Sequence, residues 1–166
     1  MTTSAQLLQD LFDRIRQEAA TVLDGISEAE LAAAPGGNNS VAWLLWHTAR
    51  VQDAQIADVA GHEQLWTADG WARRFALPFD DSATGYGQSL QETAQVTASA
   101  RLLRDYLEAV ADRSNTYLAT ITDADLDEIV DENWEPPVTL AARLVSIAAD
   151  DLQHLGQAAY IRGMQR

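Results

Sequence analysis

The chain has 166 residues, no cysteine, and 25 acidic against 11 basic residues, a formal charge of −14. That length fits one domain with a real core, and an apolar fraction of 47% is too high for an intrinsically disordered chain. The missing cysteines exclude disulfides, thiolate metal sites and a thiol nucleophile, while the carboxylate excess, with every cation an arginine, argues against nucleic acid or an anionic membrane as partner.

The first segment carries Leu7, Leu8, Leu11, Phe12, Ile15, Ala19 and Leu23 at helical spacing and stops at Asp24-Gly25. It has no basic region ahead of an apolar run, so it reads as an amphipathic helix and not as a targeting segment. Ser27 with Glu30 three residues on predicts a capping box and a short helix, ended by Pro35-Gly36-Gly37. A second long helix starts behind Ser40, with Val41, Leu44, Leu45, Val51 and Val59 on its stripe, and closes at Gly61. Residues 62–92 hold no period but carry Trp66, Trp71, Phe75, Phe79 and Tyr86. Aromatics of that number are not all solvated, so this crossover is expected to fold back on the helices, and a loop of such length is more often functional than idle.

The third long helix is expected from about Thr93 to Ile121. Seven of the 25 acids then fall between Asp123 and Glu135, a block expected to be a solvated connector that ends in Pro136-Pro137. The fourth helix starts behind Thr139 and runs to about Arg162, and no strand pattern of useful length appears. The expected fold is all-α: a single-domain four-helix bundle over residues 1–166, with a long crossover between the second and third long helices. No stretch is long and apolar enough to span a bilayer, which predicts a soluble, cytoplasmic protein. A homodimer is also expected, as helical bundles with exposed apolar crossovers often pair.

The histidines are His47, His62 and His154. At about 100° per residue, His47 lies roughly 60° from Leu44, beside the apolar stripe of its helix. His154 takes a similar flank in the fourth helix, and Asp150 sits one turn earlier on nearly the same azimuth. Asp151 falls closer still to the centre of that stripe, where carboxylates are rare unless paired or bound to metal. Two histidines and one carboxylate from facing helices suit a divalent ion such as Zn²⁺, Ni²⁺ or Fe²⁺, with positions left open. A lone histidine on a helix flank is, however, more often a hydrogen-bonded core residue. His62 reads as exposed, and Asp53 and Asp58 fit a solvated face as readily as a site. Arg143 and Arg162 are candidates to hold an anion, though each also fits a helix-end charge. Trp43, Trp46, Trp66 and Trp71 could wall a pocket, with core packing the default.

The segments Asn38-Asn39-Ser40-Val41-Ala42-Trp43-Leu44-Leu45-Trp46-His47 and Asp150-Asp151-Leu152-Gln153-His154-Leu155-Gly156-Gln157 resemble the DinB-like superfamily, which includes mycothiol-dependent maleylpyruvate isomerase. The crossover, with Gly70-Trp71-Ala72-Arg73-Arg74-Phe75-Ala76-Leu77-Pro78-Phe79 and Gly85-Tyr86-Gly87, resembles an actinobacterial subgroup of it. The resemblance implies a metal held by one residue of the second long helix and two spaced i, i+4 on the last. These positions fall on His47, Asp150 and His154, with Asp150 standing where a histidine is usual. By spacing, Asp151 competes with Asp150 as the carboxylate ligand.

The expected function is that of a divalent-metal-dependent transferase or isomerase acting on a small molecule. The resemblance implies that mycothiol or another small thiol supplies the sulfur. His47, Asp150 and His154 are the expected metal ligands and Asp151 the catalytic acid–base candidate. The alternative is a non-catalytic bundle that binds metal or a small ligand at a degenerate site, which the carboxylate at Asp150 favours.

Overall fold

A computed structural model describes residues 1–165. Four long helices dominate it: α1 (Ser4–Leu23), α3 (Val41–Ala60), α7 (Ala100–Leu118) and α8 (Leu140–Gly163). Each begins at a hydroxyl that accepts a backbone N–H from the first turn: Thr3 from Gln6, Ser40 from Trp43, Ser99 from Leu102 and Thr139 from Ala142. The short α2 (Glu28–Leu31) carries the expected capping box of Ser27 and Glu30. Among the described residues, no helix is long and apolar enough to cross a membrane.

Around the bundle the order is α1, α7, α3, α8, with α1 and α3 on a diagonal and each packed on α7 and α8. Cross-helix bonds give the directions. Asp13 meets Asn115 and Leu23 meets Arg104, so α1 and α7 are antiparallel. Gln55 meets Arg143 while His47 meets Asp150, so α3 and α8 are antiparallel. Arg50 meets Tyr106 while Gln52 meets Ser114, so α3 and α7 run parallel. Two parallel neighbours cannot be joined by a tight turn, because the chain has to travel back along the bundle before entering the second of them. That requirement accounts for the crossover. Phe12, Leu23, Leu44, Leu45, Trp46, Leu103, Tyr106, Leu144 and Ile147 make the centre of the core, all nearly or fully inaccessible.

The crossover departs from its expected form in two ways. It is longer, running to Ser99, because Ser89 and Glu92 form their own capping box and close the short α6 (Leu90–Thr93) well before α7 begins. It also holds two further short helices, α4 (Leu65–Ala68) and α5 (Trp71–Phe75), whose Trp66, Trp71 and Phe75 are buried as expected, whereas Tyr86 is exposed. The acidic connector is not simply solvated chain. It contains an antiparallel hairpin of β1 (Ile129–Asp131) and β2 (Val138–Thr139), strands too short to leave an alternating pattern. Arg143 fastens this hairpin to α8 by reaching Asp131 at 2.9 Å.

A buried polar network binds the crossover to the bundle. Asp53 accepts the backbone N–H groups of Leu65 and Trp66 at 2.9 and 2.8 Å, capping α4, and the Tyr106 hydroxyl at 2.8 Å. Arg50, fully buried, donates to Gln64 and to the Ala83 carbonyl, and its guanidinium lies 4.7 Å from the centre of the Trp66 ring. Asp53 is therefore a buried acceptor and not part of a solvated face. Burial, followed by the charge of Asp53, pushes the Tyr106 hydroxyl well above the usual tyrosine range.

Candidate metal centre

His47 lies two turns into α3, and Asp150 and His154 lie one turn apart on α8, where the antiparallel packing of the two helices sets them face to face. One donor atom from each residue lies within 4.8 Å of the other two. Among the described residues this is the group of three metal-ligating side chains that converges. His47 Nε2 stands 4.0 Å from Asp150 Oδ2, and the two imidazole rings are 4.7 Å apart, edge to face.

Both rings are oriented by carbonyl groups. His47 Nδ1 is 2.6 Å from the Thr84 carbonyl oxygen, and His154 Nδ1 is 2.8 Å from that of Asp150. A carbonyl only accepts, so each Nδ1 carries the proton and donates, leaving the lone pair on Nε2. This backbone orientation is the usual device by which metal-binding imidazoles are held in one tautomer. Asp150 adds a buried Oδ2 with no hydrogen-bond donor, although the residue as a whole is partly exposed. Two free imidazole nitrogens and an orphaned carboxylate oxygen form a donor set that fits a divalent ion. Burial lowers the proton affinity of His47, opposed by its bond to Thr84, so the ring stays neutral and available to a metal near neutral pH.

Trp43 stacks on His47, with centroids 4.5 Å apart and planes 13° from parallel, and meets the His154 ring at its edge. Its indole N–H donates to Gln88 at 2.8 Å. Gly85 packs close to the Nδ1 edge of the same ring: it is buried at φ +99°, and a Cβ there would stand 2.5 Å from His47 Nδ1 and 3.1 Å from the Trp46 ring. Glycine is thus required both by the backbone conformation and by the approach of the loop to the histidine. Thr84, Gly85 and Gln88 are contributors that helical periodicity could not reveal, because their segment has none. The one available signal was the pair of glycines around Tyr86.

The remaining candidates separate. Asp151 is fully buried, neither oxygen has a hydrogen-bond partner, and burial with the nearby Asp150 charge raises its carboxyl well above the usual range. The structure thus brings Asp150, not Asp151, into the group with the histidines. His62 is half-buried and bonds the Glu63 carbonyl, away from this group. Arg162 donates to the carbonyls of Thr21, Val22 and Asp24 and so satisfies the end of α1, and Arg143 holds the hairpin. Trp43 is a wall of the site, whereas Trp46, Trp66 and Trp71 belong to the core.

The sequence pattern of the DinB superfamily matches residues 11–158, which spans all four long helices. The chain belongs to the DinB superfamily. DinB membership agrees with the bundle and with the placement of the histidine-carboxylate group on its second and last long helices. A solved structure described as a conserved protein of Enterococcus faecalis is similar over 98% of this chain and 96% of its own, with 36% identity and a TM-score of 0.91. None of the proteins with curated functions matches this DinB chain.

Proposed function

We propose that the chain is a divalent-metal-dependent enzyme that uses a low-molecular-weight thiol, mycothiol or a similar compound, for S-transfer to, or isomerisation of, a small electrophile. The observation that supports this reading is the convergence of His47, Asp150 and His154 with both imidazoles oriented by carbonyls. Bound there, an ion such as Zn²⁺, Ni²⁺ or Fe²⁺ would keep a thiol ionised near neutral pH and polarise a substrate oxygen. The chain's own residues would present Nε2 of His47, Nε2 of His154 and Oδ2 of Asp150 as ligands. Trp43 stacks on the His47 ring and Gly85 packs close to its Nδ1 edge. The thiol has to come from outside, since the chain has no cysteine.

Space for the body of such a thiol exists along the same α3–α8 groove. A pocket of about 390 Å³ is lined by Asn38, Asn39, Leu44, Gln157 and Tyr160 among others. Leu44 and Gln157 are three residues from His47 and His154, less than one helical turn, although the three candidate ligands do not themselves line the pocket. Among the described residues no charged one lines that pocket, which suits the hydroxyl and amide groups of an uncharged carrier. Asp151 is buried beside the site, and the burial and the Asp150 charge that raise its carboxyl support a role as proton holder more than as base.

The rival reading is a metal- or ligand-binding bundle without turnover, favoured by the carboxylate at Asp150 where the resemblance places a histidine. Metal analysis of untagged protein purified without chelator decides between them in two steps. The enzyme reading expects close to one divalent ion per chain, lost in His154→Ala with at least a ~100-fold fall in affinity, beyond what loss of an outer partner costs. Protein with no affinity for divalent metal removes the enzyme and leaves the bundle with a degenerate site. Thiol-dependent consumption of an electrophile, abolished by the same substitution, selects the enzyme. Bound metal with no turnover across thiols and electrophiles selects the binding module.

A further inference from the structure

Arg50 holds a place in the interior that stability alone does not explain. It is fully buried one turn after His47 on α3, yet among the described residues it makes no direct hydrogen bond to a carboxylate. Asp53 stands 3.7 Å from Nη1 and gives its oxygens to Leu65, Trp66 and Tyr106. The guanidinium turns to the crossover instead. Its Nε donates to the Ala83 carbonyl at 3.1 Å and its Nη1 to Gln64 at 3.0 Å, while Nη2 has no partner. Apolar residues often fill such a volume at equal or lower free energy, so a buried cation with one nitrogen unmet points to a use in fixing geometry.

The Ala83 carbonyl is one peptide away from the Thr84 carbonyl that orients His47. Residues 83–85 belong to no helix or strand, and among the described residues no backbone amide reaches either carbonyl. Two side chains of α3 hold them, His47 Nδ1 and Arg50 Nε, three residues apart and so on one face of the helix. An imidazole is not oriented by a carbonyl that it alone holds, because ring and loop then move together. The Ala83 N–H closes a local turn on Asp80, which ties the segment to itself and not to α3. On the far side Gln88 anchors it to Trp43, but Gly85 and Gly87, both at positive φ, intervene. The stack on Trp43 fixes the plane of the His47 ring, not which nitrogen carries the proton.

We infer that Arg50 is a positioning residue: by holding the Ala83 carbonyl it keeps the Thr84 carbonyl on His47 Nδ1, and so determines that Nε2 is the nitrogen left to face Asp150 and His154. The lock belongs to the folded chain with or without an ion, and its use to a metal rests on the function proposed above. Asp53 lies close enough to offset the charge of the guanidinium without taking Nε, which stays with the loop. Lysine is no equivalent here. It keeps a cation near Asp53 but places a methylene where Nε stands.

The test begins with the metal-free chain at pH 8, where the His47 ring is neutral. Nitrogen NMR spectra of the three histidines should show His47 as the Nδ1–H tautomer alone in the parent and as a mixture of both tautomers in Arg50→Lys. Gln64→Leu is the control. It removes a partner of the same guanidinium but not the Ala83 bond, so it should leave the tautomer unchanged. Zn²⁺ affinity by isothermal titration should follow the tautomer, falling about tenfold in Arg50→Lys, the low end for a lost outer partner, and holding in Gln64→Leu. If Arg50→Lys does not fold, hydrogen exchange in the parent decides: Arg50 Nε–H and His47 Nδ1–H should lose protection together as urea is raised. A tautomer unchanged in Arg50→Lys, or shifted equally by Gln64→Leu, overturns the assignment, as does an Nδ1–H that stays protected after Nε–H has exchanged. A tautomer that shifts as expected in a chain without Zn²⁺ affinity supports the lock and removes only the metal reading.

Discussion

His47 is held by its surroundings more tightly than either partner on α8. Its ring is stacked on Trp43, its Nδ1 donates to Thr84, and Gly85 leaves no room for a side chain beside it. Gly85→Ala would press a methyl onto Nδ1 and demand a backbone conformation that alanine adopts poorly, so the loop has to withdraw and release the ring. The expected result is a 10–100-fold loss of metal affinity, the range found for lost orienting partners, with most of the thermal stability kept. Isothermal titration with Zn²⁺ alongside a melting curve separates the two effects; unchanged affinity would show that the 84–85 loop does not set the ring.

Asp151 makes the opposite kind of prediction. Its folded-state carboxyl holds its proton above the unfolded value of 3.8, so the stability it contributes is present below that value and is lost as the pH rises through the folded one. In metal-free protein, Asp151→Asn should therefore be stabilising relative to the parent at pH 8, by about 1.4 kcal/mol for each unit by which the folded carboxyl lies above the unfolded one, and have little such effect at pH 3.5. Urea midpoints at the two pH values measure the difference. A variant destabilised equally at both would mean that the carboxylate has a partner in solution.

At the scale of elements, Asp53 is the joint between α3 and the crossover. It caps α4, accepts from Tyr106 and lies 3.7 Å from the buried Arg50 guanidinium. Asp53→Ala would leave that cation unpaired in the interior and free two N–H groups at the start of α4. A cost of about 3–5 kcal/mol is expected, as for other buried pairs broken on one side. Equilibrium urea unfolding checks it, and a change below about 1 kcal/mol would mean that water replaces the carboxylate.

Helix boundaries were legible in the sequence wherever a hydroxyl cap preceded a periodic stripe, as at Ser40 and Thr139. They were illegible near Thr93, because apolar residues continue past it and only the box of Ser89 with Glu92 signals a break. The hairpin was hidden because its strands pair two and three residues, too few for alternation to show. The metal group divides in the same way. His47, Asp150 and His154 follow from helical spacing with the family resemblance, whereas Thr84, Gly85 and Gln88 come from an aperiodic segment whose course is fixed by tertiary contacts. Asp53 was ambiguous for a related reason, since a charged residue on a helix looks solvated until the segment that covers it is placed.

For the whole molecule, net charge describes the surface poorly. Part of the −14 sits in the connector between Asp123 and Glu135, while α8 turns its charges inward. The acidity is therefore regional: it leaves the candidate metal group with one carboxylate, Asp150, and one helix with no charge on its exposed side. The parallel course of α3 and α7 bears on how the protein forms. Helices α1 and α7, or α3 and α8, can associate as soon as they meet, but residues 61–99 can dock only after α3 and α7 already lie side by side with Tyr106 in reach of Asp53. The carbonyl that orients His47 arrives with that segment. An ion held by the candidate group would then depend on the docking of this segment, and undocking it is expected to weaken metal binding before the helices separate.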